Sequence, residues 1–424
     1  MRKHFFRIEW VVLLLLGFGF SSASAQQLWP ILGQEFGVGA RALGMGGAFV
    51  SVANDYSASH WNPAGLGLIR RMEAFGSVGR LGLVNDDVNR QNETVEKDGH
   101  FTRLNAAGFV FPIPTYRGSL VFATGYNRVK NLDGVFASRQ FINTPGDSVY
   151  HIGDEFETGY FGYWNFSGSI QLSPNFYFGG AINFWRGHDD YNWKFYEKDE
   201  LDLWTFDTNI LNQDQIRTKI SGTNFKFGGL FTIGKILNVG GTIETPVTFK
   251  ATENWEQSKN YIYFDDGSVQ NGTTDAGEFQ YKIKKPYTFA LGASLKIPLL
   301  ILSADARYND WSQMAYKDSL SVQNGSIMST YRETIAYRLG AEVAVPLTRV
   351  RLRAGYMFDP SPYQKTGPGT LSNRTFLTAG LGFIVDKQFT FDLAWVRGNW
   401  KKYHENYTEK IQADKVLFTA AFRF

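Results

Sequence analysis

Downstream of Arg71 the chain divides into fourteen segments of about ten residues that alternate apolar and polar positions. The connections between them alternate long and short without exception. Long polar ones lie near 84–100, 129–157, 188–216, 252–278, 310–331, 359–372 and 399–413, and short ones at "PIPTYR", "SPN", "GKILN", the Pro298 turn, "PLT" and "DKQ". A soluble sandwich has no reason to sort its loops this way. A membrane-spanning barrel does, because its turns on one side are short and its loops on the other are long, and its strand number is even. The expected fold is all-β: a transmembrane antiparallel barrel of about fourteen strands over residues 71–424, in a Gram-negative type outer membrane, with both termini periplasmic.

Alternation within the strands assigns the faces. In "DKVLFTAAFRF", Val416, Phe418, Ala420, Phe422 and Phe424 share one face and Lys415, Leu417, Thr419, Ala421 and Arg423 the other. The first suits lipid and the second a lumen. In "FTFDLAWV", Phe389, Phe391, Leu393 and Trp395 point out and place Asp392 inside. In "RVRLRAGYMF", Arg349, Arg351 and Arg353 point in. With Glu244, Asp305, Arg307, Arg338 and Glu342 these form a charged lumen, expected mostly as ion pairs that stiffen the wall; Arg351 or Arg353 is the candidate to hold a substrate head group.

The first 25 residues read as a cleaved secretory leader: basic Arg2, Lys3 and Arg7, an apolar run from Trp10 to Phe20, and "ASA" at Ala23–Ala25. The chain has no cysteine, which excludes disulfides, thiolate metal sites and cysteine catalysis. With 43 basic and 40 acidic residues it lacks the charge excess expected of a nucleic-acid partner. No cofactor or metal is expected. "HDD" at His188–Asp190 is the one metal-like cluster, and it sits in an acidic stretch. "GVGARA" at Gly37–Ala42 follows a leader rather than a strand, as a dinucleotide loop would not.

Between leader and barrel, residues 26–70 are rich in glycine and alanine, which permits tight backbone packing. Asn62 followed by Pro63 has the form of a helix start. A compact plug in the barrel mouth accounts for both. This stretch, "GARALGMGGAFVSVANDYSASHWNPAGLG", resembles the N-terminal hatch of the FadL/TodX-type transporters of long-chain fatty acids and hydrocarbons. "RAGYMFDPSPYQ…LSNRTFLTAGLGFIVDKQFTFDLAW" resembles that family's late-barrel pattern, with Gly355, Pro360, Pro362, Arg374 and Gly382 at matching places. "HWNPA" is also similar to PorV-type barrels, which share the fold and act in type IX secretion.

The resemblance implies a fourteen-stranded barrel with a hatch that includes Phe36, Asn62, Pro63 and Ala64. It also implies passive uptake of a hydrophobic small molecule: capture between two outer loops, transfer to the lumen, hatch movement, and lateral exit at a kink in the third strand. In "GSLVFATGYNR" the candidate kink residues are Gly118 and Gly125. The aromatics that solvated loops should not carry supply the capture candidates, Tyr191, Trp193, Phe195, Trp204 and Phe206 in one stretch and Tyr261 and Tyr263 in the next. The acids around the first stretch suit a neutral hydrocarbon, or a bridge to lipopolysaccharide through divalent cations. Outer-membrane lipid and lipopolysaccharide are therefore expected partners, as is the barrel-assembly machinery through the terminal Phe424. A secretion component is the second reading, and an outer-membrane lipid hydrolase a remote third.

Overall fold

A computed structural model describes residues 36–89, 93–144, 147–198, 208–234, 236–263, 269–386 and 388–424. The leader expected at 1–25, and Trp204 and Phe206, lie outside the described residues. Fourteen strands make the wall. They are β1 Glu73–Asn89, β2 Thr94–Ile113, β3 Leu120–Asn131 continued as Gly134–Thr144, β4 Asp147–Ser173, β5 Phe176–Lys198 and β6 Thr208–Ile233. Next come β7 Leu237–Glu244 continued as Val247–Tyr263, β8 Val269–Lys285 continued as Thr288–Ile297, and β9 Leu300–Asp310. The last five are β10 Glu333–Ala344, β11 Val350–Asp359, β12 Arg374–Ile384, β13 Phe389–Tyr403 and β14 Tyr407–Arg423. Each strand pairs antiparallel with its sequence neighbours. β1 closes on β14 in unbroken register from Glu73 opposite Arg423 to Asn89 opposite Tyr407. Closure pairs the first strand with the last, as a membrane requires of strands that cross it.

The face assignment holds along the last strand: Val416, Phe418 and Phe424 are exposed, whereas Lys415, Leu417, Thr419 and Ala421 are buried inside. Arg351 and Arg353 point in as expected. Arg349 does not; it lies in the turn before β11, exposed, with its guanidinium on the Val385 carbonyl. The strands are also longer than the alternation suggested. The stretches read as loops at 129–157, 188–216 and 252–278 are largely ladder, since β4, β5, β6 and β7 run on well past the apolar band. Beyond the membrane both faces of a strand meet water or polar neighbours, so the apolar–polar alternation that marks a spanning strand fades there while the hydrogen bonds continue.

Residues 36–70 precede the wall and are almost entirely buried. They form two short helices, α1 Ala40–Gly44 and α2 Ala58–Trp61, and a 3-10 turn, Pro63–Leu68. This segment lies against the inward face, and the wall is bare where it touches. Gly340 and Gly355 face each other across β10 and β11, and Met45 and Gly46 lie on them; a Cβ on Gly355 would come within 2.2 Å of the Gly46 nitrogen. Gly108 and Gly125, opposed across β2 and β3, likewise make room for the Tyr56 ring. Gly46 itself takes φ +63, a conformation that side chains disfavour.

Gly355→Ala is accordingly expected to lift the segment off the wall while the barrel ladder survives. In hydrogen exchange, amides of residues 40–50 should lose protection and those of β11 and β14 should keep it; equal protection of both regions would refute the close-packing account.

Candidate functional site

The lumen is organised by one carboxylate. Glu342 on β10 receives Arg353 of β11 at 2.6 Å, Arg41 of α1 at 2.9 Å and Arg351 at 3.2 Å. Arg353 also reaches Asp392 of β13 at 2.7 Å. Arg338 is paired with Asp359 at 2.7 Å. Arg41 therefore pins the N-terminal segment to the wall. Burial works against its charge, but Glu342 outweighs that and holds its pKa above the ordinary value. Asp305 adds a second attachment by accepting from the Phe49 and Val50 backbone N–H groups at 2.6 and 2.8 Å. A cavity of about 440 Å³ at the short-turn end is bordered by Arg41, Asp55, Arg351, Arg353, Asp392 and Arg423.

The residues named from the hatch resemblance are all anchored. Phe36 packs edge-on against Phe376, with ring centroids 5.4 Å apart, beneath the Lys415 ammonium. Asn62 accepts from Ala64 N at 3.1 Å, capping the 3-10 turn that Pro63 begins. Its amide donates to the Val50 and Gly229 carbonyls at 2.8 and 3.1 Å, tying the segment to itself and to β6. The Ala64 carbonyl accepts from Ser169 Oγ at 2.9 Å. His60 is fully enclosed, with Nδ1 2.7 Å from the Tyr163 hydroxyl. Burial, with Lys226, Arg307 and Lys285 nearby, pushes its imidazole well below the usual range.

Above His60 lies an aromatic cluster that sequence reasoning missed. Trp185 of β5 packs against Tyr163 and Phe161 of β4 and Phe249 of β7, with centroids 4.5, 4.9 and 5.8 Å apart. All four are buried. Their inward parity was readable in "FGYWNF" and "NFW"; the convergence of β4, β5 and β7 was not. Tyr191, Trp193 and Phe195 belong to the same inward face of β5, two residues apart. They stand on a strand, not in a loop, because β5 stays paired with β4 up to Lys198. Trp193 stacks on Phe195 at 5.1 Å, Phe195 meets His151 at 4.8 Å, and the Tyr191 hydroxyl donates to Glu155 at 3.1 Å. Tyr261 lies under Lys259, 5.4 Å from its ammonium, and Tyr263 is paired with Thr208 at the end of β7.

The third strand does break, though not at the glycines. Gly118 sits in the turn before β3 with φ +76, and Gly125 is in regular register opposite Gly108. The irregularity falls between Arg128 and Lys130, and the strand is interrupted again after Asn131. The β2–β3 ladder ends at Ala106 opposite Asn127, yet β2 extends to Thr94. The outer part of β3 turns inward instead: the Val135 carbonyl accepts from Asn85 at 3.0 Å, and Phe136 stacks on Tyr407. Side chains span the resulting gap. Asp133 takes Arg103 of β2 at 2.8 Å and Arg128 of β3 at 3.4 Å. The Asn105 amide donates to the Arg128 carbonyl and to that of Gly37, both at 3.1 Å, and its Oδ1 accepts from Gly39 N at 3.2 Å. Gly37 and Gly39 of the N-terminal segment are thus fastened at the gap.

His188 Nε2 lies 2.9 Å from Asp190 on the outer face, and Arg217 is ion-paired with Asp190 at 3.5 Å. No cluster of three or more potential metal ligands occurs among the described residues. The terminal Phe424 packs on Phe422 and Phe109.

A closed antiparallel wall with an apolar outer belt, a charged and filled lumen and short turns at one end is the architecture of an outer-membrane β-barrel. The family model described as outer membrane protein transport protein (OMPP1/FadL/TodX) matches residues 16–423, and the chain belongs to that family. Solved structures share the fold. The Pseudomonas putida toluene transporter TodX is 13% identical with a TM-score of 0.64, over 92% of this chain and 99% of that one. A Pseudomonas aeruginosa FadL homologue is 15% identical (TM-score 0.60, 92% and 99%), and the Ralstonia pickettii toluene transporter TbuX is 15% identical (TM-score 0.59, 92% and 99%). No curated protein matches the chain.

Two outcomes test this arrangement. Glu342→Gln takes the shared carboxylate from Arg41, Arg351 and Arg353, leaving Arg353 with Asp392, and removing one partner of a buried pair costs about 3–5 kcal/mol. Exchange protection should fall across residues 40–50, and unchanged protection would show that Glu342 does not hold the segment. His60 is kept neutral in the fold, whereas its unfolded pKa is about 6.5. Its contribution to stability is therefore complete above that value and is lost as pH falls below it. Protection of residues 56–62 should weaken between pH 7.5 and 5.5 beyond the intrinsic exchange correction, and His60→Gln should flatten that dependence.

Proposed function

We propose that the protein takes up neutral hydrophobic small molecules by passive diffusion, with residues 26–70 acting as a movable hatch. The carrying observation is the continuous inward face of β5. Phe195, Trp193 and Tyr191 descend from the long-hairpin end, and the same face continues through Asp189 and Gly187 to Trp185 in the lumen cluster. Long hairpins of such barrels are extracellular, so the aromatics form a ladder from outside to the hatch. Apolar burial supplies the affinity, at about 0.8 kcal/mol per methylene, whereas a partly solvated ion pair gives about 1 kcal/mol at most. Glu155, Glu157 and Asp189 line the same face and disfavour a carboxylate, which argues for a neutral substrate over a fatty acid. Arg351 and Arg353 are committed to Glu342 and Asp392, which supports a wall-stiffening role over head-group binding.

Exit is proposed sideways, where the β2–β3 ladder stops. The gap is closed by side chains rather than backbone pairing, and Asn105 links it to the hatch, so movement of Gly37–Gly39 loosens the wall at the same place. The toluene transporters named above share this fold, and the family does not favour the secretion or hydrolase readings.

Uptake of labelled toluene and of a long-chain fatty acid into cells tests both steps. Replacing Trp193 and Phe195 with Ser removes on the order of 100 Å² of contact, about 2.5 kcal/mol, so uptake at limiting toluene should fall by well over tenfold and recover at high concentration. Because the native chain lacks cysteine, cysteines at Arg103 and Arg128, whose guanidiniums meet at Asp133, can be joined by a short reducible cross-linker. Closure should stop uptake and reductant restore it. Full uptake by the cross-linked barrel would overturn the lateral exit, and normal uptake by the Ser variant at limiting toluene would overturn the capture ladder.

A further inference from the structure

Four neighbouring strands turn basic on their outer face immediately beyond their apolar belt. On β5 the outward series passes from Phe184 to Arg186, and on β6 from Phe225 through Thr223 and Ser221 to Lys219 and Arg217. On β7 it passes from Ile243 to Lys250, and on β8 from Phe289 and Tyr287 to Lys284 and Lys282. The ladders bring these into register. Arg186 is opposite Ser221, Ser221 opposite Lys250, and Lys250 opposite Lys282. In the next outward row Tyr160 is opposite His188 and His188 opposite Lys219. Tyr160, Arg186, His188, Lys219, Lys250 and Thr252 border a depression of about 410 Å³.

The charge here is not balanced from within. Arg217 faces Asp190 at 3.5 Å and Lys282 faces Asp318 at 3.0 Å. Among the described residues no carboxylate lies within ion-pair distance of Arg186, Lys219 or Lys250. Like charges directly opposed across a ladder, as Lys250 and Lys282 are, destabilise a sheet. Elsewhere round the wall the same level differs: Glu333 on β10 is acidic, Arg397 is neutralised by Asp414 at 2.9 Å, and β1 offers a lone Arg80.

We propose that this face binds the phosphate groups of a phosphorylated glycolipid of lipid A type in the outer leaflet, its acyl chains lying along Phe184, Phe225, Ile243 and Phe289. The reasons are depth and charge. The cluster stands where acyl chains end and head groups begin, and basic groups at that level attract anionic lipid heads. Arg186 can hold a phosphate by two parallel N–H donors, with Lys219 and Lys250 as point charges beside it. Tyr160 and Thr252 add hydroxyls suited to sugar. The contact needs no divalent cation, unlike the acidic-loop bridge expected from sequence. The leaflet rests on the proposed extracellular orientation of the long hairpins; the phosphate site does not.

The test separates the two. Native mass spectrometry of the whole barrel in non-ionic detergent is titrated with bis-phosphorylated lipid A and with the same glycolipid stripped of both phosphates. The wild-type protein should prefer the phosphorylated form by at least about tenfold, three basic groups each contributing several-fold. The variant Arg186→Gln with Lys219→Gln and Lys250→Gln should lose that preference. A far-side control, Arg80→Gln with Arg397→Gln and Lys401→Gln, should keep it. Heat-modifiable migration on gels should be the same for all three proteins. Equal affinity for the two lipids, or an undiminished preference in the first variant, would overturn the site. In parallel, a cysteine at Lys250 on intact cells should react with an impermeant thiol reagent; protection there, with labelling only after the envelope is opened, would overturn the outer-leaflet assignment.

Discussion

Backbone polarity governs this molecule. Hydrocarbon offers no partner to an N–H or C=O group, so a chain that crosses it as strands must pair every strand on both sides. The Glu73–Arg423 to Asn89–Tyr407 register meets that demand by joining the first strand to the last. Everything else follows from the closed wall: an outer face that is apolar by alternation, and an inner face enclosing a space that the chain itself fills. Where the pairing is relinquished between the outer halves of β2 and β3, Asn105, Arg103 and Asp133 and the inward turn of β3 compensate. Those contacts are made by side chains rather than by a backbone ladder.

The filling of the lumen obeys two further constraints. Residues 36–70 can approach the wall closely only where the wall lacks side chains, and Gly108, Gly125, Gly340 and Gly355 supply those places. Buried charge must be paired, since an isolated ion in such a space is costly. Glu342 satisfies three arginines from both the wall and the segment, so the same group that neutralises the lumen also holds the segment in it. The segment is held by these ion pairs and hydrogen bonds together with buried apolar side chains such as Leu43, Met45, Phe49 and Trp61.

Much of this was legible in the sequence. Loop-length alternation gave the barrel and its strand number, because turn length is set by which side of a membrane a connection occupies. Period-2 alternation placed Arg353, Glu342 and Asp392 inside and Phe418 and Trp395 outside, because a pleated strand leaves no other choice. The extension of β5 to Lys198 was hidden, since outside the membrane polar side chains are compatible with either face and with a loop. For the same reason Tyr191, Trp193 and Phe195 looked like loop residues. The kink was misplaced at Gly118 and Gly125. A glycine in a strand can mark either a bend or a close approach, and at Gly125 it is the approach of Tyr56.

The sequence by itself determined the class of fold, the two faces of each spanning strand, the small-residue character of the N-terminal segment and the Asn62–Pro63 cap, all properties encoded within a few residues of one another. The tertiary structure alone decided what met what. Arg41 finds Glu342 across 301 positions. Trp185, Phe161 and Phe249 come together from three strands, and Arg186, Lys219, Lys250 and Lys282 fall into neighbouring rows on the outer face. Each of those encounters depends on inter-strand register, and register is fixed by closure of the whole wall rather than by any local stretch of chain.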